Sequence, residues 1–164
     1  MVVTCPTRGH HHQCRAGGHM TETTQPRTSP LAGELIAEDF DGWSPQLRQE
    51  FVDNVHNHQV GSVLLSETDE VKVWSIRLAP GERVPAHRHV LDYFWTALTD
   101  GSSVQHTDDG TTRRVTYRSG DTRHFTFPDG EYILHDLRND GPTELAFITV
   151  EHKRRPHITG PSAR

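Results

Sequence analysis

Gly81-Glu-Arg-Val-Pro-Ala-His87-Arg-His89-Val-Leu-Asp92-Tyr93-Phe-Trp-Thr-Ala-Leu-Thr-Asp-Gly101 is a β-rich run bounded by turn residues, and it carries two histidines two positions apart. In an extended strand alternate side chains point to the same face, so His87 and His89 converge on one point. That is how a strand supplies half of a metal site. A second stretch further along, Gly120 to Asn139, carries two more histidines, His124 and His135. Either of them is a candidate for the other half.

Outward from the histidine pair, short β-rich runs alternate with turns. Val71 to Leu78 alternates, with Trp74, Ile76 and Leu78 on one face and Val73, Ser75 and Arg77 on the other. Pro80-Gly81 is a turn into the histidine strand, and Leu91 to Thr99 is a further strand closed by Thr99-Asp100-Gly101. Asp108-Asp109-Gly110 is a hairpin signal between Ser103 to Thr107 and Thr111 to Tyr117. Ser119-Gly120-Asp121, Asp129-Gly130 and Asn139-Asp140-Gly141-Pro142 are further turns. This regularity predicts an all-β sandwich or barrel. Before it, Ser44-Pro45 opens a helix as a capping side chain followed by proline, and Leu47, Phe51, Val52 and Val55 are expected on its buried face.

Gly81, five residues, His87-x-His89, then Gly120, Pro128-x-Gly130 and His135-x-x-x-Asn139 resemble the two boxes of the cupin superfamily. The run of Asp92-Tyr93 and Leu98-Thr-Asp-Gly101 after the histidine pair is similar to small bacterial single-domain cupins, including those linked to β-alanine degradation. The resemblance implies an RmlC-like jelly roll, a double-stranded β-helix, with one amphipathic helix N-terminal to it. It also implies a divalent transition metal (Fe, Mn, Ni, Cu or Zn) held by His87, His89 and His135. Many metal-binding cupins carry a glutamate three or four residues after the second histidine, where this chain has Tyr93 and Phe94.

Asp92 and Tyr93 are the candidate catalytic residues. Asp92 is a candidate fourth ligand, general base or acceptor for a histidine, although its parity differs from that of His87 and His89 unless the strand bulges. Tyr93 has the matching parity and a hydroxyl for a bound ligand. His124 is the alternative third ligand. Arg77, Tyr117 and Arg123 are candidates for holding a carboxylate at the barrel mouth, because guanidinium offers a two-pronged donor. Trp74, Trp95, Phe125 and Phe127 are expected in the core.

The domain plan is a disordered leader at 1–30, an N-terminal arm and helix at 31–60, the barrel at 61–155 and a disordered tail at 156–164. Cys5, Cys14 and His10 to His12 fall in the leader, which lacks apolar periodicity, so a zinc site there is not expected. The whole chain is only 32% hydrophobic, in keeping with such unpacked ends. With 22 acidic against 17 basic residues the net charge is −5, which argues against nucleic-acid binding. No apolar run reaches the roughly eighteen residues of a membrane span, and no secretory signal is evident, so the expected compartment is the cytoplasm. The expected function is a metal-dependent, dioxygenase-type oxidoreductase acting on a small organic acid, with a non-catalytic metal or ligand-binding module as the alternative. An edge strand and the arm make a homodimer the expected assembly.

Overall fold

The computed structural model describes residues 31–153, so the expected leader and tail, with Cys5, Cys14 and His10 to His12, lie outside the described residues. In order these form β1 (Glu34–Ala37), α1 (Pro45–Asp53), β2 (Val63–Glu67), β3 (Val71–Leu78), β4 (Arg83–His89), β5 (Tyr93–Ala97), β6 (Gly101–His106), β7 (Thr112–Tyr117), β8 (Thr122–Phe125), β9 (Ile133–Asn139) and β10 (Leu145–His152). Two five-stranded antiparallel sheets result, ordered β1-β7-β6-β9-β4 and β2-β3-β10-β5-β8. Consecutive strands β3, β4, β5 and β6 alternate between the sheets, which is the expected double-stranded β-helix.

The alternation along β3 is realised: Trp74, Ile76 and Leu78 are buried, while Arg77 is exposed. Ile76 and Leu78 join Val84, Tyr117, Leu145 and Phe147 in the core between the sheets. The β6–β7 hairpin turns at Gly110, whose φ of +84° suits glycine. Asn139 is buried at the end of β9. Its amide donates to the carbonyls of Leu78 and Thr143 and its Oδ1 accepts from Gly141 N–H, so this second-box asparagine braces a turn.

Helix α1 begins as expected, with Ser44 Oγ accepting from Leu47 N–H at 3.1 Å and Pro45 in the first turn. Its buried face is narrower than the sequence suggests. Only Phe51 is fully buried in the helix, against Trp43, Ala86 and Leu134, while Val52 is 66% exposed and Val55 packs from beyond the helix end. Nine residues make too short a helix to lay a wide stripe on a curved barrel, so the contact reduces to one aromatic anchor and a polar clamp.

That clamp joins the helix to the strands carrying the histidines. Glu50 accepts from both terminal nitrogens of Arg83, at 2.6 and 2.9 Å, and from Ala86 N–H at 2.8 Å. Arg83 Nε donates to Asp136 at 2.7 Å, and Asp136 also accepts from His106 N–H at 2.7 Å. Burial raises the Asp136 pKa, but His106 and Arg83 outweigh it and hold the carboxyl below its ordinary value.

The N-terminal arm lies along its own domain, β1 pairing antiparallel with β7. Gly33 makes the approach possible: its φ is +124°, and a Cβ there would lie 2.4 Å from Arg114 O. No helix among the described residues is long and apolar enough to cross a membrane.

Replacing Glu50 by alanine strips acceptors from a half-buried guanidinium and a backbone N–H. The expected loss is about 1–3 kcal/mol, read as a lower urea midpoint with unchanged slope. An unchanged midpoint would show that the clamp contributes nothing.

Candidate metal centre

A β-bulge builds the site. The β4–β9 register shifts between Val84 and His87, so Ala86 faces α1 while the adjacent His87 faces the barrel interior. Strict alternation from the inward Val84 would have sent His87 outward. Beyond the bulge His87 pairs with His135 and His89 with Ile133, which brings the three imidazoles onto one inner face. Ring centroids lie 5.0 Å (His87–His89), 4.6 Å (His87–His135) and 5.2 Å (His89–His135) apart. One ligand nitrogen from each can be chosen so that all three lie within 4.8 Å of one another.

The outer hydrogen bonds leave lone pairs for an ion. His87 Nδ1–H donates to Pro85 O at 2.8 Å, which leaves Nε2 as the basic nitrogen. Gln105 Nε2 donates to Tyr117 Oη at 2.7 Å and Ser103 Oγ at 3.0 Å, so its Oε1 is turned to accept from His135 Nδ1–H at 2.9 Å. His135 Nε2 is thereby presented as a lone pair, and it is buried without a partner, as is His89 Nδ1. A buried polar atom with no partner is unfavourable by about 1–3 kcal/mol, and a divalent ion removes that penalty. The donor set therefore fits a metal held by His87 Nε2, His135 Nε2 and one ring nitrogen of His89.

Burial also keeps these imidazoles neutral. Desolvation lowers the pKa of His87, and desolvation together with the other two histidines sends His89 well below its ordinary range. For His135, burial and then His87 bring the value to about 3. Neutral nitrogen is the form that binds a cation.

The histidines line an open pocket whose other walls are mostly apolar. Leu31 and Ala32, at the start of the arm, form part of its rim. From the opposite sheet Arg123, Trp95 and Thr149 occupy one cross-strand row, and all three line the pocket. Trp95 and Phe125 are therefore pocket walls as well as packing residues, whereas Trp74 and Phe127 are buried outside the lining.

The remaining candidates separate clearly. Tyr93 is buried in the lining, stacked on His89 at 4.1 Å and on Phe125 at 4.6 Å; burial raises its pKa far above the ordinary phenol range. Asp92 is not in the histidine group: its Oδ1 accepts from Phe127 N–H at 2.8 Å, tying the segment after β8 to the start of β5. His124 is exposed on the outer face of β8 against Phe94, so the third histidine of the group is His135. Arg77 is exposed and paired with Glu144 at 2.6 Å, away from the pocket that Tyr117 and Arg123 line.

Two residues escaped the sequence reading. Gln105 sits one alternation after Ser103 on a strand recognised only as a hairpin arm, and nothing marks it until β6 and β9 are neighbours. Glu151, on β10, is buried opposite Tyr93 and accepts from Trp74 Nε1 at 2.8 Å. Burial raises its pKa. Inward parity along Phe147, Thr149 and Glu151 was the available signal.

Comparison with known proteins yields no matching family model and no matching curated protein. Solved structures do match. A cupin domain from Bordetella pertussis is 26% identical, with 56% of this chain and 91% of that one covered at a TM-score of 0.51. A double-stranded β-helix domain protein from Klebsiella pneumoniae is 21% identical, covering 63% and 86% at 0.45. An RmlC-like cupin family protein from Methanocaldococcus jannaschii is 20% identical, covering 54% and 75% at 0.44.

Gln105→Leu removes the acceptor that fixes the His135 proton on Nδ1, and metal affinity is expected to fall about 10–100-fold. Gln105→Glu keeps an acceptor and is expected to retain affinity. Competition with a chelator dye reads both, and equal affinity in all three proteins would deny Gln105 this role. The metal-free chain should also be acid-sensitive. His135 stays neutral in the folded state down to about 3, whereas its ordinary value is 6.5, so the unfolded chain binds the extra proton between those limits. Stability is complete above 6.5 and declines as the pH falls toward 3. Urea midpoints should follow that decline, less steeply in His135→Gln, and a flat wild-type profile would contradict it.

Proposed function

Since the chain is a small member of the cupin superfamily, we propose that it is a metal-dependent enzyme acting on a small molecule, with dioxygenase-type oxidation as the reaction class. The observation that carries this reading is the group of three buried histidines, two with unpartnered ring nitrogens, in an apolar pocket. An iron, manganese, nickel, copper or zinc ion supplies Lewis acidity there and, when redox-active, electron exchange with dioxygen.

The chain's own residues then do the following. His87, His89 and His135 bind as neutral donors, with Pro85 O and Gln105 Oε1 holding the protons of the first and last on Nδ1. The mostly apolar walls make the surroundings of the centre less polar, which strengthens polar interactions with a substrate. Tyr93, kept protonated by burial, acts as a hydrogen-bond donor beside His89. Asp92 positions the segment that brings Phe127 against Tyr93, ring centroids 6.0 Å apart. The second reading, a module that holds metal and ligand without turnover, is favoured by one observation: no carboxylate lines the pocket among the described residues.

Metal content of the full chain, beside His87→Ala and His135→Ala, tests the proposal because any contribution from the terminal residues is common to all three. Roughly one equivalent should be lost in each variant. With iron loaded, oxygen uptake with small carboxylates should likewise be lost in both. Equal metal content in all three proteins would refute the centre, and metal binding without turnover would favour the second reading.

A further inference from the structure

We propose that Asn57, on the segment that follows α1, is a positioning residue of the metal centre: it grips the two peptide units on either side of His87 and so aims that imidazole. The inference rests on the metal-centre reading and adds to it a residue that supplies no ligand atom.

β4 is the last strand of its sheet, so only one of its edges is paired, with β9. The polar groups along the other edge need partners from elsewhere. Ala86 and Arg88, the two neighbours of His87, find theirs in residues 50–58. Glu50 accepts from Ala86 N–H at 2.8 Å, and Asn57 Nδ2 donates to Ala86 O at 3.0 Å. Asn57 O accepts from Arg88 N–H at 2.6 Å, and His58 Nδ1–H donates to Arg88 O at 3.1 Å.

The two bonds of Asn57 have a particular effect. Ala86 C=O belongs to the peptide unit entering His87, and Arg88 N–H to the peptide unit leaving it. Each unit is planar, so holding both fixes the two backbone dihedrals of His87 and with them the direction of its side chain. Elsewhere in a sheet the neighbouring strand does this. Here the β-bulge intervenes: the register shifts between Val84 and His87, and neither Pro85 nor Ala86 is matched to a residue of β9. The segment entering His87 therefore depends on Glu50 and Asn57.

Asn57 is itself anchored. Its N–H donates to Asn54 O at 2.9 Å and its Oδ1 accepts from Gln59 N–H at 3.1 Å, while Asn54 donates to Glu50 O from both its main chain and its side chain, at 2.9 and 3.0 Å. A half-buried side chain at this position has to donate to Ala86 O and accept from Gln59 N–H at once, which a carboxamide does. Without it His87 gains backbone freedom that a bound ion has to remove, and that ordering is subtracted from affinity.

The test is zinc affinity of the full chain, by competition with a chelator dye, in wild type, Asn57→Ala and Leu145→Val. His135→Ala supplies the background from residues outside the centre. Asn57→Ala should weaken zinc binding about tenfold in protein that circular dichroism shows to be folded. Leu145→Val, which lowers stability from a fully buried position on β10, should leave affinity unchanged. Amide hydrogen exchange on wild type gives a second readout and decides alone should Asn57→Ala not fold. Zinc should slow exchange at Asn57 and Gln59 more than at Thr68, whose N–H is bonded to Val71 O in the turn between β2 and β3. Unchanged affinity in Asn57→Ala, an equal loss in Leu145→Val, or no extra protection at Asn57 and Gln59 would each overturn the inference and leave the centre standing. A wild-type chain that takes up no more zinc than His135→Ala would remove the centre and this role together.

Discussion

Three neutral imidazoles buried side by side are the constraint on which the rest of this barrel depends. Histidine in an apolar interior is tolerated only when its proton is given to an acceptor and its lone pair has a use. Here Pro85 O and Gln105 Oε1 receive two of the protons, and the opposing nitrogens face one another across a few ångströms. The arrangement is unfavourable in an empty barrel and favourable around a cation. Local stability is thus given up at the place where binding occurs.

The fold supplies compensation behind the site. β9 is buried on both faces: His135 looks into the pocket while Leu134 and Asp136 look toward α1. Glu50, Arg83, Asp136 and His106 form a connected polar chain across that outer side, and each carboxylate in it is held below its ordinary pKa despite burial. Because Glu50 also accepts from Ala86 N–H, the clamp grips the bulge residue immediately before His87. Helix, bulge and histidine are consequently one mechanical unit, which explains why so short a helix is retained against the barrel.

What the sequence made legible was the part written in short-range pattern. Turn residues, alternation in β3 and the His87-x-His89 pair reported the barrel and half the centre, and the family resemblance of His135 to Asn139 reported the rest. The bulge was invisible because Pro85 and Ala86 read as ordinary strand residues. It shows only when β4 is laid on β9 and the register fails to match. Val52 was misplaced because helical periodicity says which residues share a face but not how much of that face the neighbour covers. Gln105 and Arg123 owe their positions to pairings between strands separated by whole turns of the barrel. Arg123 and Arg77 look equivalent along the chain, yet one lines the pocket and the other pairs with Glu144 on the surface.

The claim tested most directly is that His87, His89 and His135 hold one ion between them. Crystals grown with cobalt or zinc, measured at the metal's absorption edge, would locate it by anomalous scattering. The account predicts one peak within the barrel, about 2.0–2.1 Å from a nitrogen of each of the three histidines. A barrel without a peak there, or with the ion bound elsewhere while these histidines keep their present partners, would contradict it.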